Sequence, residues 1–176
     1  HVIPSKFGFT AIKNDGAVIW WGGQDFNHIG GIAYPPSEMM GIRKMASNGY
    51  AFAALLDDGT IETWGTVVYG GGAITSDNAP PLGNGYTDIV AGFHCFTALH
   101  ADGTLKTWGG SGFWDQNFAT NPANSAPNDG GYVKVVANGA AYSPNSSFAA
   151  LKNDGSIISW GQINHQPPGN GYVEII

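Results

Sequence analysis

The chain has 176 residues, enough for one domain with a packed core and too few for two comfortable ones. Glycine is abundant at 27 residues and aromatics reach 12%, whereas charged residues make up only 11%, about half of the ~25% usual in soluble domains. The net charge of −6 and only seven scattered basic residues exclude nucleic acid as an expected partner, because phosphate contacts need clustered Lys and Arg.

High glycine with many aromatics and few charges suits an all-β protein rich in tight turns. No run approaches the roughly 20 apolar residues of a membrane helix, so membrane insertion is not expected. Cys95 is the sole cysteine, which rules out an internal disulfide and a thiolate zinc site. Set in Phe93-His94-Cys95-Phe96, it reads as a buried, inert thiol. The chain opens on His1 rather than Met, consistent with a processed form or a fragment. Together with low charge and high glycine, this favours an extracellular or cell-surface location.

Taken in chain order, the first recognisable unit is F-T-A-I-K-N-D-G-A-V-I-W-W-G at residues 9–22. It returns as F-A-A-L-L-D-D-G-T-I-E-T-W-G at 52–65, F-T-A-L-H-A-D-G-T-L-K-T-W-G at 96–109 and F-A-A-L-K-N-D-G-S-I-I-S-W-G at 148–161, at spacings of 43, 44 and 52 residues. Such a period signals a repeat architecture. In each unit an Asp-Gly pair (Asp15-Gly16, Asp58-Gly59, Asp102-Gly103, Asp154-Gly155) separates two β-prone runs. It predicts a hairpin, since Gly accepts positive φ freely and Asp better than most residues. Phe96 and Ala98 point to one face of the strand, Thr97 and Leu99 to the other, and neither face is consistently polar. A sheet with two such faces must be covered on both, as when blades stack radially. Small Ala11, Ala54, Ala98 and Ala150 would permit close approach, while Trp21, Trp64, Trp108 and Trp160 would wedge between blades, each burying on the order of 200 Å².

A second element, directly after a glycine, reads as a short strand at residues 42–46, 86–90, 132–136 and 172–176, with prolines a few residues upstream. Units of about 1–40, 41–84, 85–130 and 131–171 then make a single repeat domain spanning 1–176. The first unit lacks this strand and residues 172–176 are a surplus copy of it. The surplus strand could close a four-bladed ring in cis. It could complete the first unit of another copy, giving rings or filaments. Or the chain could be cut from a longer array.

The string A-L-x-x-D-G-x-[VI]-x-x-W-G resembles the RCC1-type repeat, particularly its shorter bacterial version. The resemblance covers nearly the whole chain and implies a β-propeller of four-stranded blades, usually seven in number. This sequence departs in having four units. The expected fold class is therefore an all-β, propeller-like array of four RCC1-type repeats with the terminal repeat split between the chain ends.

No H-x-x-x-H, nucleophile elbow, phosphate loop or EF-hand spacing occurs, so no enzyme, catalytic residue, cofactor or metal site is expected. Gly70-Gly71-Gly72 is not followed by the Lys-Ser/Thr that holds a phosphate. The recurring Asp of each Asp-Gly reads as turn chemistry. Five residues beyond each repeat Trp lies a ring: Phe26, Tyr69, Phe113 and His165. With His28, Trp114 and Asp115 nearby, these are the candidate ligand-binding residues, since rings edged by Asn, Asp and Gln suit a carbohydrate. The competing reading is that each ring opens a further strand and packs in the blade. Around 141–147 the longer last spacing forms another candidate contact loop, whose Asn145-Ser146-Ser147 is a formal glycosylation acceptor.

The expected function is a non-enzymatic binding or adhesion module that takes a glycan or protein ligand on its inter-blade loops. One alternative is a structural protein that assembles with further copies of itself. The other is guanine-nucleotide exchange or a related interaction scaffold, which the resemblance alone suggests and fold does not carry.

Overall fold

The Asp-Gly pairs build one loop repeatedly. In the second unit Gly59 N–H donates to the Leu56 carbonyl (3.0 Å) and Leu56 N–H to the Thr60 carbonyl (2.9 Å), with Gly59 at φ +82°. This is a three-residue loop whose glycine takes the left-handed bulge position. The aspartate contributes through its carboxylate: Asp58 Oδ1 accepts from Thr60 N–H (2.9 Å) and from Thr60 Oγ1–H (2.7 Å). Asp102 with Thr104 and Asp154 with Ser156 repeat the arrangement, and Asp15 caps the Ala17 N–H.

The computed structural model describes residues 2–6, 8–22, 32–72, 79–110, 125–138, 146–163 and 165–176. Four antiparallel sheets follow one another. The first is β1 (Val2–Pro4), β2 (Gly8–Ile12) and β3 (Val18–Gly22); the second holds β4 (Ile32–Ala33), β5 (Ile42–Ser47), β6 (Ala51–Leu56) and β7 (Ile61–Thr66) in the order β4-β7-β6-β5. The third is β8 (Tyr86–Ala91), β9 (Cys95–His100) and β10 (Leu105–Gly109), and the fourth β11 (Tyr132–Ala137), β12 (Ser147–Lys152) and β13 (Ile157–Gly161). Each sheet is one blade. Among the described residues only the second has a fourth strand.

The core lies between blades rather than within them. Phe52 and Trp64 stack at 5.5 Å and cluster with Val18, Ile3 and Trp20 of the first blade. Phe96 and Trp108 stack at 5.3 Å against Ala51, Ala53 and Leu55 of the second, and Phe148 and Trp160 at 5.4 Å against Cys95 and Leu99 of the third. Each ring removes on the order of 200 Å² from water, about 5 kcal/mol at 25 cal/mol per Å². Ala54, Ala98 and Ala150 are fully buried in these seams, as is Cys95. Both faces of the strand at Phe96, Thr97, Ala98 and Leu99 are indeed covered. Indole N–H groups stitch the seams further: Trp64 Nε1 donates to Thr10 Oγ1 (3.2 Å) and Trp108 Nε1 to the Gly70 carbonyl (3.3 Å).

A backbone clamp sets the step from blade to blade. The carbonyls of three turn glycines accept an N–H from the residue at the first-strand start that follows, Gly59 from Tyr86 (3.0 Å), Gly103 from Tyr132 (3.0 Å) and Gly155 from Tyr172 (2.9 Å), while Gly16 accepts from Met39 (2.8 Å), three residues before β5. A Cβ on Gly103 would fall 2.8 Å from the Gly131 nitrogen, so the two chains meet where no side chain fits. First strands of successive blades consequently lie side by side.

Three features depart from the sequence reading. Trp21, expected between blades, is 44% exposed with its stacking partner Phe9, because among the described residues no preceding blade covers this pair as one covers every other Phe–Trp pair. The first blade carries its own first strand, with Pro4 opposite Phe9 as Ser47 is opposite Phe52. The surplus segment forms no ladder: residues 172–176 follow the clamp at Gly155 and run beside β11, where Lys134 Nζ meets Glu174 Oε1 at 3.3 Å. A strand needs a neighbour to hydrogen-bond, and no hairpin lies beyond it among the described residues. In addition, β5, β8 and β11 each carry a bulge at Arg43, Thr87 and Val133, a one-residue insertion that periodicity alone does not reveal.

The clamp makes a sharp prediction. Gly103→Ala and Gly131→Ala both place a side chain at positive φ (+82° and +87°), but only the first also meets backbone. Gly131→Ala should lose about 1–2 kcal/mol in urea unfolding, and Gly103→Ala at least about 2 kcal/mol more. Equal losses would show that the close approach does not matter.

Candidate binding surface

The antiparallel order places two kinds of connection at opposite ends of every blade. One end carries the Asp-Gly turns. At the other, third strands finish at Gly22, Thr66, Gly109 and Gly161, and first strands are linked to second strands by segments that include Ser5 and Lys6, residues 48–50 and residues 92–94. Phe26, His28, Phe113, Trp114 and Asp115 lie outside the described residues, and so does the loop at 141–145.

At this second end an aromatic cluster joins the second and third blades. Tyr69 ends a 3-10 turn (Val67–Tyr69) that Gly70 closes in left-handed geometry. Its ring lies 4.4 Å from Tyr50 and stacks on His94 at 4.5 Å. His94 is flanked by Phe93 at 4.2 Å, and Phe93 meets Tyr50 edge-on at 6.1 Å. Tyr69 and His94 are buried, while Tyr50 and Phe93 are partly buried and form the outward edge. Lys6 of the first blade donates from Nζ to Tyr50 Oη (2.9 Å), with its ammonium 5.1 Å from the ring centroid. On the other side Ser146 of the fourth blade, fully buried, accepts at Oγ from the Phe93 N–H (3.0 Å) and the His94 N–H (3.2 Å). The edge thus draws residues from all four blades.

Asn48 fixes its geometry. Its Oδ1 accepts from the N–H groups of Tyr50 (3.1 Å) and Ala51 (2.8 Å), and its Nδ2 donates to the Tyr69 carbonyl (2.7 Å), all at 5% exposure. One buried amide thereby joins the strand-to-strand turn to the 3-10 turn.

Of the sequence candidates, Tyr69 is here, packed inward against Tyr50 and His94, and it ends a 3-10 turn instead of opening a further strand. His165 is exposed on the fourth blade, beside Gln166, whose amide pairs with both the N–H and the carbonyl of Ser159 on β13. The structure does not bring His165 and Tyr69 together in any described contact. Tyr50, Phe93, His94 and Lys6 are not among the candidates, because counting forward from Trp passes them by. Their signal stands earlier in the unit: Tyr50 and His94 both lie two residues before a repeat Phe.

The Asp-Gly end is polar and pinned. Asp102 is held down to about 2 by hydrogen bonds from the Thr104 hydroxyl and N–H and by His100. His100 Nδ1 lies 2.9 Å from Asp102 Oδ1, and Nε2 lies 3.1 Å from the Asn84 carbonyl. The carboxylate raises the imidazole above its usual value of 6.5. Asp129 receives the Lys152 ammonium and Tyr132 Oη–H (2.7 Å), which lower its own value, and the Tyr132 phenol is raised by burial and by this carboxylate. Among the described residues no three His, Cys, Asp or Glu side chains gather as metal ligands.

These geometries correspond to a known architecture. The Crinkly WD40 ectodomain of the receptor kinase ACR4 from Arabidopsis thaliana superposes over 92% of this chain and 50% of its own, with a TM-score of 0.59 and 17% identity. Prp20p from Saccharomyces cerevisiae matches 92% of this chain and 44% of its own at 0.56 and 19%, and human WBSCR16 92% and 47% at 0.53 and 16%. The chain spans about half the length of the solved structures it matches. No protein-family model and no curated protein matches it. The class is thus an all-β propeller. More particularly, the fold is that of an RCC1-like repeat array, here of four blades.

Two outcomes check the surface. Asn48→Ala should lower stability by about 2–3 kcal/mol, because buried donors and acceptors lose their partner, and a loss below about 0.5 kcal/mol would remove Asn48 from that role. At the opposite end His100 should titrate above 6.5 by NMR, and Asp102→Asn should return it towards that value. Since the folded value is the raised one, the His100–Asp102 contribution is fully present below pH 6.5 and fades as pH rises through the folded value.

Proposed function

We propose that this chain is a non-catalytic scaffold that binds a protein partner at the end of the blades carrying Tyr50 and Phe93, in an extracellular or cell-surface setting. The observation that carries the reading is the partly buried aromatic edge of Tyr50 and Phe93, backed by buried Tyr69 and His94 and tied to the first and fourth blades through Lys6 and Ser146. Rigid aromatic side chains such as Tyr and Phe are enriched at protein interfaces, and Tyr is prominent among the residues that carry their binding energy. The structural neighbours support this in kind. One is a receptor-kinase ectodomain, and another, Prp20p, binds Gsp1p and histones. Guanine-nucleotide exchange is not adopted, because a fold shared at 19% identity does not carry an activity across.

The test is a parallel screen of a displayed library of protein domains and peptides and of a glycan array. Protein or peptide ligands are expected whose affinity falls about tenfold or more with Tyr50→Ala or Phe93→Ala and is unchanged with Asp58→Asn at the other end. Ligands found only among glycans, or lost with Asp58→Asn alone, would overturn the assignment.

A further inference from the structure

The loops that lead into β5, β8 and β11 share one anchor. The carbonyls of Gly41, Gly85 and Gly131 accept an N–H from the hairpin turn of the same blade, donated by Asp57 (2.7 Å), Ala101 (2.9 Å) and Asn153 (2.9 Å). Aligned on this anchor, the residue before the glycine is Met40, Asn84 or Gly130, and the residue that ends the second strand is Leu56, His100 or Lys152. The third blade departs from the other two at both places, and the two departures meet in space: an imidazole lies against an Asn-Gly peptide.

The contact leaves one protonation state. His100 Nε2 lies 3.1 Å from the Asn84 carbonyl oxygen, and Nδ1 lies 2.9 Å from Asp102 Oδ1. Both oxygens only accept, so a ring that bonds to both is the imidazolium, donating from each nitrogen. The Asp102 N–H, 3.4 Å from Nδ1, is too distant to compete with the carboxylate. The hydrogen bond to that carboxylate raises the imidazole above 6.5, which keeps the cation populated towards neutral pH. A Cβ on Gly85 would fall 2.4 Å from Nε2, so only glycine lets the ring reach this carbonyl.

An Asn-Gly peptide carries an electrophile and a nucleophile side by side, the side-chain carbonyl carbon and the following backbone nitrogen, with no side chain in the way. Asn84 is exposed, and among the described residues neither its amide nor the Gly85 N–H has a protein hydrogen-bond partner. Asn48, also followed by glycine, differs: its amide is 5% exposed and tied to Tyr50, Ala51 and Tyr69. When the Gly85 N–H loses its proton, the charge is shared with the Asn84 carbonyl oxygen. A cationic donor already aimed at that oxygen stabilises the charge without reorganisation.

We propose that Asn84-Gly85 is a self-modification site, where His100, held by Asp102, promotes closure of a succinimide that water opens to aspartate and isoaspartate. Hydroxide from solvent takes the Gly85 amide proton and the nitrogen bonds to Asn84 Cγ. The Cγ–Nδ2 bond then breaks, and the amide nitrogen leaves as ammonia with a proton from water. Water next cleaves one of the two imide bonds, at Cγ to give aspartate or at the main-chain carbon to give isoaspartate. The site lies at the opposite end of the blades from the aromatic edge and does not depend on it. Its isoaspartyl product adds a methylene to the main chain directly before Tyr86, whose N–H clamps the third blade to Gly59.

The chain contains its own reference. Gly169-Asn170-Gly171-Tyr172 repeats the sequence of Gly83-Asn84-Gly85-Tyr86, is likewise exposed at its asparagine, and holds its second glycine at the same φ of +93°. Among the described residues no imidazole contacts its carbonyls. Peptide mapping by mass spectrometry after incubation at neutral pH should show Asn84 converted at least about tenfold faster than Asn170 in the folded chain, the effect of one hydrogen bond from a charged donor. The excess should vanish in urea, where the two asparagines share one local sequence. It should vanish as well in His100→Leu, which installs the residue type that the second blade carries at this place. Equal rates in the folded chain, an excess that survives urea or His100→Leu, or scission between Asn84 and Gly85 in place of conversion overturns the proposal.

Discussion

The hydrogen bond from a first-strand N–H to the carbonyl of the preceding turn glycine fixes the rest of this structure. It spans a long stretch of chain, Gly59 reaching Tyr86 and Gly103 reaching Tyr132. Because it joins backbone to backbone, it sets the separation and angle of two blades independently of the side chains between them. The side chains then fill a gap of fixed width, which explains why the same Phe, Ala and Trp recur in each seam. The turn must be made by glycine for two separate reasons, its left-handed φ and the contact with the next chain.

This division of labour decides what the sequence reveals. The repeat, the hairpins and the two-sided burial at residues 96–99 are legible because they depend on local pattern, which the chain writes four times. Positions that depend on a neighbour in space are not legible in that way. Trp21 has the same sequence context as Trp64 but no blade before it among the described residues. Residues 172–176 have the composition of a strand but pair with no hairpin among the described residues. The bulges at Arg43, Thr87 and Val133 shift register by one residue and leave no mark in composition.

The aromatic edge is hidden for a different reason. Its members come from four blades and from two kinds of connection, so no window of the sequence contains them. Tyr69 is reached by counting from Trp64, and its inward packing follows from Asn48, which anchors its carbonyl from 21 residues away. Ser146 is similarly remote, holding the Phe93 and His94 amides across a seam. Such a surface is assembled by the stacking of blades and cannot precede it.

The seams also give the array a direction. Each buried Phe–Trp stack is covered by the blade before it, while the opposite face of each blade presents small or aliphatic side chains to the one after. Stripping a blade from the end near Ile176 uncovers small and aliphatic side chains such as Cys95 and Leu99 or Ala51, Ala53 and Leu55, whereas stripping one from the end near Val2 uncovers two stacked rings. The chain therefore has a sticky end and a smooth end, and unravelling is not the same process in the two directions.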